Sequence, residues 1–378
     1  MWRLSTLTRP WFRRRDIEVA AKQSRAPASV LKAMDAGDAQ QSPVHSAQSS
    51  LATNKLTYAQ AIAQGLQQAM ELSPDVVLIG QLIDYSPGVF GTTTGLVERF
   101  GANRVLDFPV AESAMTAGGM GAALVGLRPV LIHHRLDFML YSMDAVVNWI
   151  SLWRFKSNDE SSVPLTIRAI IGKGWGQGPQ HSKSLHAWFA HLPGLRVAMP
   201  ATAFDAKGLL LESIFGEDPT MILEHRSLFT LKDDVPEQPY RVRFGKAAVR
   251  RRGTDITLVA IGIMVPLALK VAAQLVEHAV DVEVIDLRTV SPLDTDTVCS
   301  SVGKTGRLCV MDPAWQSFGV SAEIVARVAE RSGPSLRTDP IRICHPDSHT
   351  PMSSALETLY YPEETAVVER LRSLATDG

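Results

Sequence analysis

The chain has 378 residues, with 38 Lys and Arg, 39 Asp and Glu, and three cysteines. At roughly 100 to 200 residues per domain, this length predicts two or three domains with full cores and excludes a small scaffold held by disulfides. The formal net charge of −1 gives no general basic excess for a nucleic-acid backbone. Charges interrupt every apolar run before the roughly 20 residues of a membrane span. We therefore expect a soluble globular protein that binds neither nucleic acid nor membrane.

Residues 1–54 are rich in Ala, Ser and Gln and have no sustained apolar periodicity, so we expect a mobile N-terminal extension. Its first stretch, MWRLSTLTRPWFRRR, carries five arginines and no acid. This composition is typical of a mitochondrial transit peptide, which would place the protein in the matrix. The acids at Asp16, Glu18, Asp35 and Asp38 favour instead a bacterial N-terminal arm and a cytoplasmic location.

From Leu56 onward, helical-period segments alternate with short β-branched runs, a pattern typical of parallel sheets covered by helices on both faces. In the first half, strands are predicted at 76–80, 128–132, 164–171, 195–199 and 220–224. A charged, proline-containing stretch at 231–255 predicts a linker or domain crossing. In the second half, strands are predicted at 255–261, 282–287, 307–312 and 341–344, and helices near 266–279, 294–302 and 320–331. We predict an α/β fold of two doubly wound units, 55–235 and 236–378.

Ligands of open α/β sheets collect beyond the carboxyl ends of the strands, which draws attention to three loops. The first lies in DFPVAESAMTAGGMGAALVGLRPV, where Glu112 is the only charged residue between Asp107 and Arg128. Burying a carboxylate in so apolar a segment is costly unless a partner compensates its charge. By spacing alone, an exposed position in the first turn of a helix after Pro109, stabilised by the helix dipole, explains Glu112 equally well.

The second loop is IIGKGWGQGPQHS, in which alternating glycines at 172, 174, 176 and 178 lead to His181. The spacing matches neither a dinucleotide-binding GxGxxG nor a P-loop. Histidine is the usual side chain for proton transfer near neutral pH, although a surface or satisfied histidine is the more common explanation without further context. His186 and His191 follow at five-residue intervals, which spreads the three rings around a helix and argues against a zinc site.

The third loop contains His133, His134 and Arg135 directly after a predicted strand, with Phe138 close behind. These residues fit the lining of a pocket, but aromatic residues at helical spacing belong more often to the core. The sequence contains no GxSxG nucleophile elbow, no HExxH zinc helix and no CxxC redox pair.

Three longer segments occur in a fixed order: GANRVLDFPVAESAMTAGGMGAALVGLRPV, GQGPQHSKSLHAWFAHLPGLRVAMPATAFDAKGLL and DPAWQSFGVSAEIVARV. Together they resemble the β subunit of the thiamine-diphosphate-dependent 2-oxo acid dehydrogenases, the transketolase-like family that includes the E1β subunits of pyruvate and branched-chain 2-oxo acid dehydrogenase. The resemblance extends over residues 56–370. It implies a pyrimidine-binding domain followed by a transketolase C-terminal-like domain, in agreement with the two units predicted from the strand pattern.

The resemblance also implies roles for single residues. Glu112 matches the glutamate that hydrogen-bonds N1′ of the cofactor's aminopyrimidine, and Phe138 matches an aromatic residue that packs on this ring. His181 matches the active-site histidine of a QHS motif. We therefore assign catalysis to Glu112 and His181, and cofactor binding to Glu112, Phe138 and His133.

In this family a GDG motif with a downstream Asn holds the divalent metal at the cofactor's diphosphate, and no GDG occurs in this sequence. The resemblance implies that an α subunit supplies this half of the site and its Mg²⁺, at the interface of an α2β2 heterotetramer. It also implies decarboxylation of a pyruvate-like or branched-chain 2-oxo acid and acyl transfer to the lipoamide of a lipoyl acyltransferase, E2. The isolated chain is expected to have no decarboxylase activity.

The substrate end departs from the family pattern, because IHHRLDF replaces an EFMTFNF-type stretch. We assign His134 and Arg135 to a substrate pocket, where their charge suits a more anionic or sugar-like substrate. Two alternatives remain open. One is the C-terminal half of a split transketolase-like or acyloin-forming enzyme, and the other is a catalytically silent assembly subunit.

The family's β subunit can also hold a structural potassium ion through backbone carbonyls. The matching positions are Leu165, Ser213, Ile214, Gly216 and Asp218. Carbonyl ligation depends on loop shape more than on the identity of the side chains, although the family usually has Asp at the position of Gly216. We include this ion as an expectation.

Overall fold

The computed structural model describes residues 52–85, 89–173 and 176–376, and the predicted N-terminal extension lies outside these residues except for its last three. The strands are β1 (Thr53–Thr57), β2 (Val76–Gly80), β3 (Val105–Asp107), β4 (Arg128–His133), β5 (Thr166–Ile171), β6 (Arg196–Ala198), β7 (Thr220–His225), β8 (Lys232–Pro236), β9 (Ala248–Arg251), β10 (Ile256–Ala260), β11 (Val282–Asp286), β12 (Thr289–Ser291), β13 (Leu308–Trp315) and β14 (Ile341–His345). The helices are α1 (Tyr58–Leu72), α2 (Leu96–Phe100), α3 (Glu112–Leu124), α4 (Leu136–Met139), α5 (Met143–Ala145), α6 (Trp153–Lys156), α7 (His186–Ala190), α8 (Ala203–Ile214), α9 (Met264–Leu275), α10 (Thr295–Thr305), α11 (Val320–Ser332), α12 (Ser354–Tyr360) and α13 (Glu364–Thr376).

The first sheet has the strand order β12-β6-β7-β5-β4-β2-β3, and all neighbours are parallel except β12 and β6. Every residue of β2, β4, β5 and β7 is buried, because helices cover both faces. Alternate residues of β2 point to opposite sides: Val76 and Leu78 pack with α1 and α8, whereas Val77 and Ile79 pack with α3.

The second sheet has the order β14-β13-β10-β11-β9, with only β9 antiparallel to its neighbour. Helices α9 and α13 cover one face. The other face, under α10 and α11, continues into the core of the first unit, because Val259 and Ile285 belong to the same buried cluster as Val197 and Met199. The two units therefore share one apolar core.

The predicted two-unit α/β fold is confirmed, and each predicted strand is present with ends shifted by a few residues. The stretch 231–255, predicted to be a linker or domain crossing, contains two strands that were not predicted: β8, which pairs with β1, and β9, at an edge of the second sheet. Edge strands tolerate charge and need no continuous apolar face, which is why their pattern gave no signal. The domain boundary at residue 235 stays a prediction, and β12, from the second predicted unit, lies in the first sheet.

The carboxyl ends of β3, β2, β4, β5 and β7 lie along one edge of the first sheet. The loops that hold Glu112, His133 to Phe138 and His181 all follow strands of this edge. No helix within the described part of the chain is both long and apolar enough to cross a membrane.

Candidate active site

Glu112 is the first residue of α3, a position where the helix dipole favours a negative charge. Only 8% of the residue is exposed. Among the described residues, the carboxylate has no hydrogen-bond or ion-pair partner. The predicted position of Glu112 in the first turn of a helix is confirmed. The prediction that Glu112 is exposed there is wrong. A largely buried acid that pairs with nothing inside the described chain is a candidate for ligand binding.

His133 is the last residue of β4 and lies close to α3, and His134 follows it directly. The Nε2 atom of His133 is 3.4 Å from Oγ1 of Thr116, which in turn donates to Oγ of Ser142 at 2.9 Å. Burial, together with the neighbouring His134, lowers the pKa of His133 to about 3, so its ring is neutral at pH 7. His134 contacts the backbone carbonyl of Gln81 through Nε2.

Phe138 and His181 are in direct contact. Their ring centroids are 5.1 Å apart, with an angle of 87° between the planes. Phe138 lies in α4 and is 40% exposed, and His181 is half-buried at the end of a short 3₁₀ turn, Gly178–Gln180. Within the described residues, the His181 imidazole has no hydrogen-bond partner. Its ring is thus oriented by an aromatic neighbour while both nitrogens stay available for chemistry.

A cavity opens beside this ring pair. Its lining consists of Asp137, Phe138, Leu140, Tyr141, Gln180 and Lys183. Lys183 and Asp137 form an ion pair of 3.1 Å across it. On the side of Glu112, Ser113 Oγ donates to the carbonyl of Tyr141. The segments that carry Glu112, Phe138 and His181 are thus joined by contacts, as strand-end loops of one sheet edge are expected to be.

Arg135 lies beneath this arrangement and is only 4% exposed. Its Nη1 atom donates to the carbonyls of Gly172 at 2.9 Å and His181 at 2.5 Å, and its Nη2 donates to Oε1 of Gln177. Burial lowers the pKa of Arg135 from its usual value. The guanidinium of Arg135, which we assigned to the substrate pocket, is therefore hydrogen-bonded to the loop after β5.

Comparisons with known proteins identify the family to which the two units belong. Residues 54–232 match the transketolase pyrimidine-binding domain, and residues 245–367 match the transketolase C-terminal domain. The chain is 37% identical over 334 residues to the β subunit of the acetoin:2,6-dichlorophenolindophenol oxidoreductase of Cupriavidus necator, covering 86% of this chain and 98% of that protein. It is 37% identical over 321 residues to the pyruvate dehydrogenase E1 component subunit beta of Bacillus subtilis, covering 85% and 98%.

The chain belongs to the E1β family of thiamine-diphosphate-dependent dehydrogenases. Members of this family are subunits of oxidoreductases. The fold of this E1β chain also resembles that of a split-gene transketolase in an inactive β4 tetramer, with a TM-score of 0.70 over 86% of this chain and 99% of that chain. Because the identity there is 19%, this likeness concerns the fold alone.

Sequence reasoning missed two buried histidines of this E1β chain near the loop after β5. His225 ends β7, and its Nδ1 accepts from the N–H of Ser227 at 3.2 Å. Burial first, and then the charges of His345, Lys173 and Arg135, lower the pKa of His225 to about 3. Both His225 and His345 are the last residues of parallel strands, so the strand-end rule would have drawn attention to them.

Gly172 packs directly against His225. A Cβ atom at this glycine would lie 2.0 Å from Nε2 of His225, and its φ of 85° is unfavourable for any other residue. This first glycine of the loop is therefore required by the close approach of the β7 histidine.

Two of the five carbonyls matched to a potassium ion accept hydrogen bonds from the buried guanidinium of Arg128. Its Nη1 donates to the carbonyls of Ile214 at 3.1 Å and Gly216 at 2.9 Å. Hydrogen bonds from within the chain also reach the carbonyls of Leu165, Ser213 and Asp218. A potassium ion would have to share the carbonyl oxygens of Ile214 and Gly216 with the guanidinium of Arg128. Among the described residues, no group of three or more His, Cys, Asp or Glu side chains is placed to hold a metal ion.

Proposed function

We propose that this E1β chain forms half of the active site of a thiamine-diphosphate-dependent 2-oxo acid dehydrogenase. The substrate would be a pyruvate-like or branched-chain 2-oxo acid. The observation that carries the proposal is the buried and unpartnered carboxylate of Glu112, on the same sheet edge as the contact between Phe138 and His181. A ring nitrogen of a bound cofactor would supply the partner that the fold does not provide.

Thiamine diphosphate, when bound, supplies the carbon nucleophile and the electron sink that 2-oxo acid decarboxylation requires. Glu112 would hold a proton at N1′ of the aminopyrimidine, and its burial would strengthen this hydrogen bond. Phe138, whose side chain is partly exposed, would pack on the pyrimidine. His133, neutral and buried, lies next to Thr116 of the helix that carries Glu112 and adds no charge there. His181 moves or donates a proton at an imidazole nitrogen on the substrate side.

An α subunit is proposed to supply the other half, holding the diphosphate through Mg²⁺ in an α2β2 heterotetramer. Five large apolar side chains are exposed at this edge, as expected of a surface that a partner covers. They are Leu82, Tyr85, Val110, Phe138 and Tyr141. We further propose that the acyl group passes to the lipoamide of an E2 acyltransferase and that the assembly works in the cytoplasm.

At the substrate end, we propose that His134 lines the pocket and that Arg135 shapes it indirectly, through the loop after β5 that it binds. A structural potassium ion is proposed to contribute little to this chain, because Arg128 already places a positive charge at two of the five carbonyls.

A second candidate is the cleavage of an acyloin. It is favoured by the relative from Cupriavidus necator, whose name specifies acetoin and whose identity to this chain, 37%, equals that of the pyruvate dehydrogenase relative. Glu112 and His181 would serve either reaction, so the two candidate functions have to be distinguished by measuring activity with each substrate.

The test is to purify the tagged full-length chain with its α partner and to follow reduction of 2,6-dichlorophenolindophenol with pyruvate, branched 2-oxo acids and acetoin. We expect Glu112→Gln to lower kcat by at least about 100-fold, in line with the loss of a group that handles a proton. Glu98→Gln, an exposed acid in the first turn of α2, is the matched control and should leave kcat unchanged.

Full activity of the Glu112→Gln complex would overturn the proposal and favour the silent assembly subunit. Turnover by the isolated chain would show that the site is not shared. Activity with acetoin but with none of the 2-oxo acids would select the second candidate.

A further inference from the structure

We propose that Arg135 is the positioning residue that holds His181 in place for catalysis. The inference rests on the proposed role of His181 and adds a residue to it. It is drawn from the three contacts that a single buried guanidinium makes with the described residues of the loop after β5.

One nitrogen of Arg135 binds both ends of this loop. Nη1 donates to the carbonyl of Gly172, where the loop leaves β5, and to the carbonyl of His181, where it ends. Nη2 donates to the side chain of Gln177 between them. A planar guanidinium presents several donors in fixed directions, so it can fix three acceptors that a single ammonium group would hold less well.

The same short segment also fixes the ring of His181. Arg135 immediately precedes α4, and Phe138 of that helix contacts the imidazole edge-to-face at 5.1 Å. His181 is therefore held twice from residues 135–138, at its backbone carbonyl and at its ring. Two such restraints define where the imidazole nitrogens lie, and displacement of a catalytic group by about 1 Å can cost about 100-fold in rate.

Within the described part of the chain, the three hydrogen bonds of Arg135 all go to this loop. Among the described residues Arg135 has no ion-pair partner, and the nearby Asp137 is bound to Lys183 instead. A residue that recognises a substrate carboxylate needs free donors, whereas the donors of Arg135 point to the loop. The guanidinium would then act on the reaction through His181 and would not discriminate between substrates.

The first experiment is hydrogen–deuterium exchange of the full-length chain, read by mass spectrometry over residues 176–183. Arg135→Gln should speed exchange there by about 10-fold or more, because the restraints on the segment are lost. Arg135→Lys should give an intermediate rate. The matched control is Arg104→Gln, which also removes hydrogen bonds to three backbone carbonyls, of Met70, Ser73 and Val76, but at the opposite end of β2. It should leave residues 176–183 unchanged.

The second experiment measures the assembled enzyme. Arg135→Gln should lower kcat by about 10-fold to 100-fold, with KM for each 2-oxo acid changed less than about 2-fold and the ratios of kcat/KM between substrates unchanged. Arg135→Lys should recover part of kcat. If Arg135→Gln does not fold, Gln177→Ala removes only the third contact and should speed exchange over 176–183 by about 3-fold.

Unchanged exchange over 176–183 in both Arg135→Gln and Gln177→Ala would overturn the inference, as would an effect confined to KM or to one substrate. An effect confined to KM or to one substrate would mean that Arg135 contacts the substrate directly. If the exchange results hold but the Glu112→Gln complex stays fully active, the proposed function fails while the restraint by Arg135 stands.

Discussion

Two buried acids of this E1β chain, Glu112 at the carboxyl edge of the first sheet and Asp312 in the second sheet, differ in whether the chain supplies a partner. In the second sheet, Asp312 is fully buried, binds Nε2 of His186 at 2.8 Å and accepts the N–H of Ser321 at 2.9 Å. At the carboxyl edge of the first sheet, Glu112 is almost as deeply buried and has no partner within the described residues. Burial alone does not distinguish the two acids, but pairing does. Acids that stabilise the fold are paired within the chain. The acid proposed for catalysis has no internal partner and would be paired by the bound cofactor.

The pKa of Asp312 shows what pairing achieves. Burial works to raise this pKa, but the charge of His186 and the hydrogen bonds from His186 and Ser321 outweigh burial and hold it below its usual range. A second set of paired acids lies between the two units, where Arg250 binds both Asp205 of α8 and Asp286 of β11. The contrast between paired and unpaired acids can be tested by removing partners.

The largest effect on stability is expected for Arg250→Met. Asp205 and Asp286 are fully buried, and the variant leaves them with Arg288, 2.9 Å from Asp205, as the remaining cation. Breaking a buried ion pair by removing one partner should lower the free energy of unfolding by about 3–5 kcal/mol, measured by urea denaturation. The neighbouring Arg251→Met, which removes a partly exposed pair with Asp281, should cost less than about 1 kcal/mol. Equal costs for the two variants would remove the distinction between internal and surface pairs.

A smaller effect is expected from pH at His345, which packs against Tyr360 and Tyr361. Burial lowers its pKa to about 4 in the folded chain, against about 6.5 when unfolded. Between these values the unfolded chain binds more protons, so stability is complete above pH 6.5 and is lost as the pH falls towards 4. The loss should be on the order of 3 kcal/mol.

His345→Gln should weaken this pH dependence, measured as the free energy of unfolding by urea at pH 7 and pH 4.5. The exposed His349→Gln serves as the control and should leave the dependence as it is. An undiminished dependence in His345→Gln would show that this ring is protonated in the folded chain or accessible to water.

The smallest effect on stability is expected for Glu112→Gln. Since the carboxylate has no internal partner to lose and a neutral amide is cheaper to bury, the free energy of unfolding should stay within about 1 kcal/mol of the parent, with any change favouring the variant. Urea denaturation of the isolated chain measures it. A loss above about 2 kcal/mol would mean that Glu112 serves the fold, and the comparison with Asp312 would collapse.

The sequence allowed the buried strands to be predicted because their apolar runs are continuous, as in β2 and β7. Strands β8, β9 and β12 lie at sheet edges or are very short, so no periodicity marked them. The resemblance to the E1β family pointed to Phe138 and His181, which the structure brings into contact, although their roles remain proposals. The environment of Arg135 could not be predicted, because two of its acceptors are backbone carbonyls 37 and 46 residues away along the chain.

Strand β12 has a consequence for how this chain can be divided. Residues Thr289–Ser291 complete the first sheet by pairing antiparallel with β6. A fragment that ends between β8 and β9 would leave β6 with an open row of N–H and C=O groups, a surface on which other chains can add strands. Separately produced halves should therefore aggregate unless they are synthesised together, and proteolytic nicking at the junction should leave a complex that migrates as one particle.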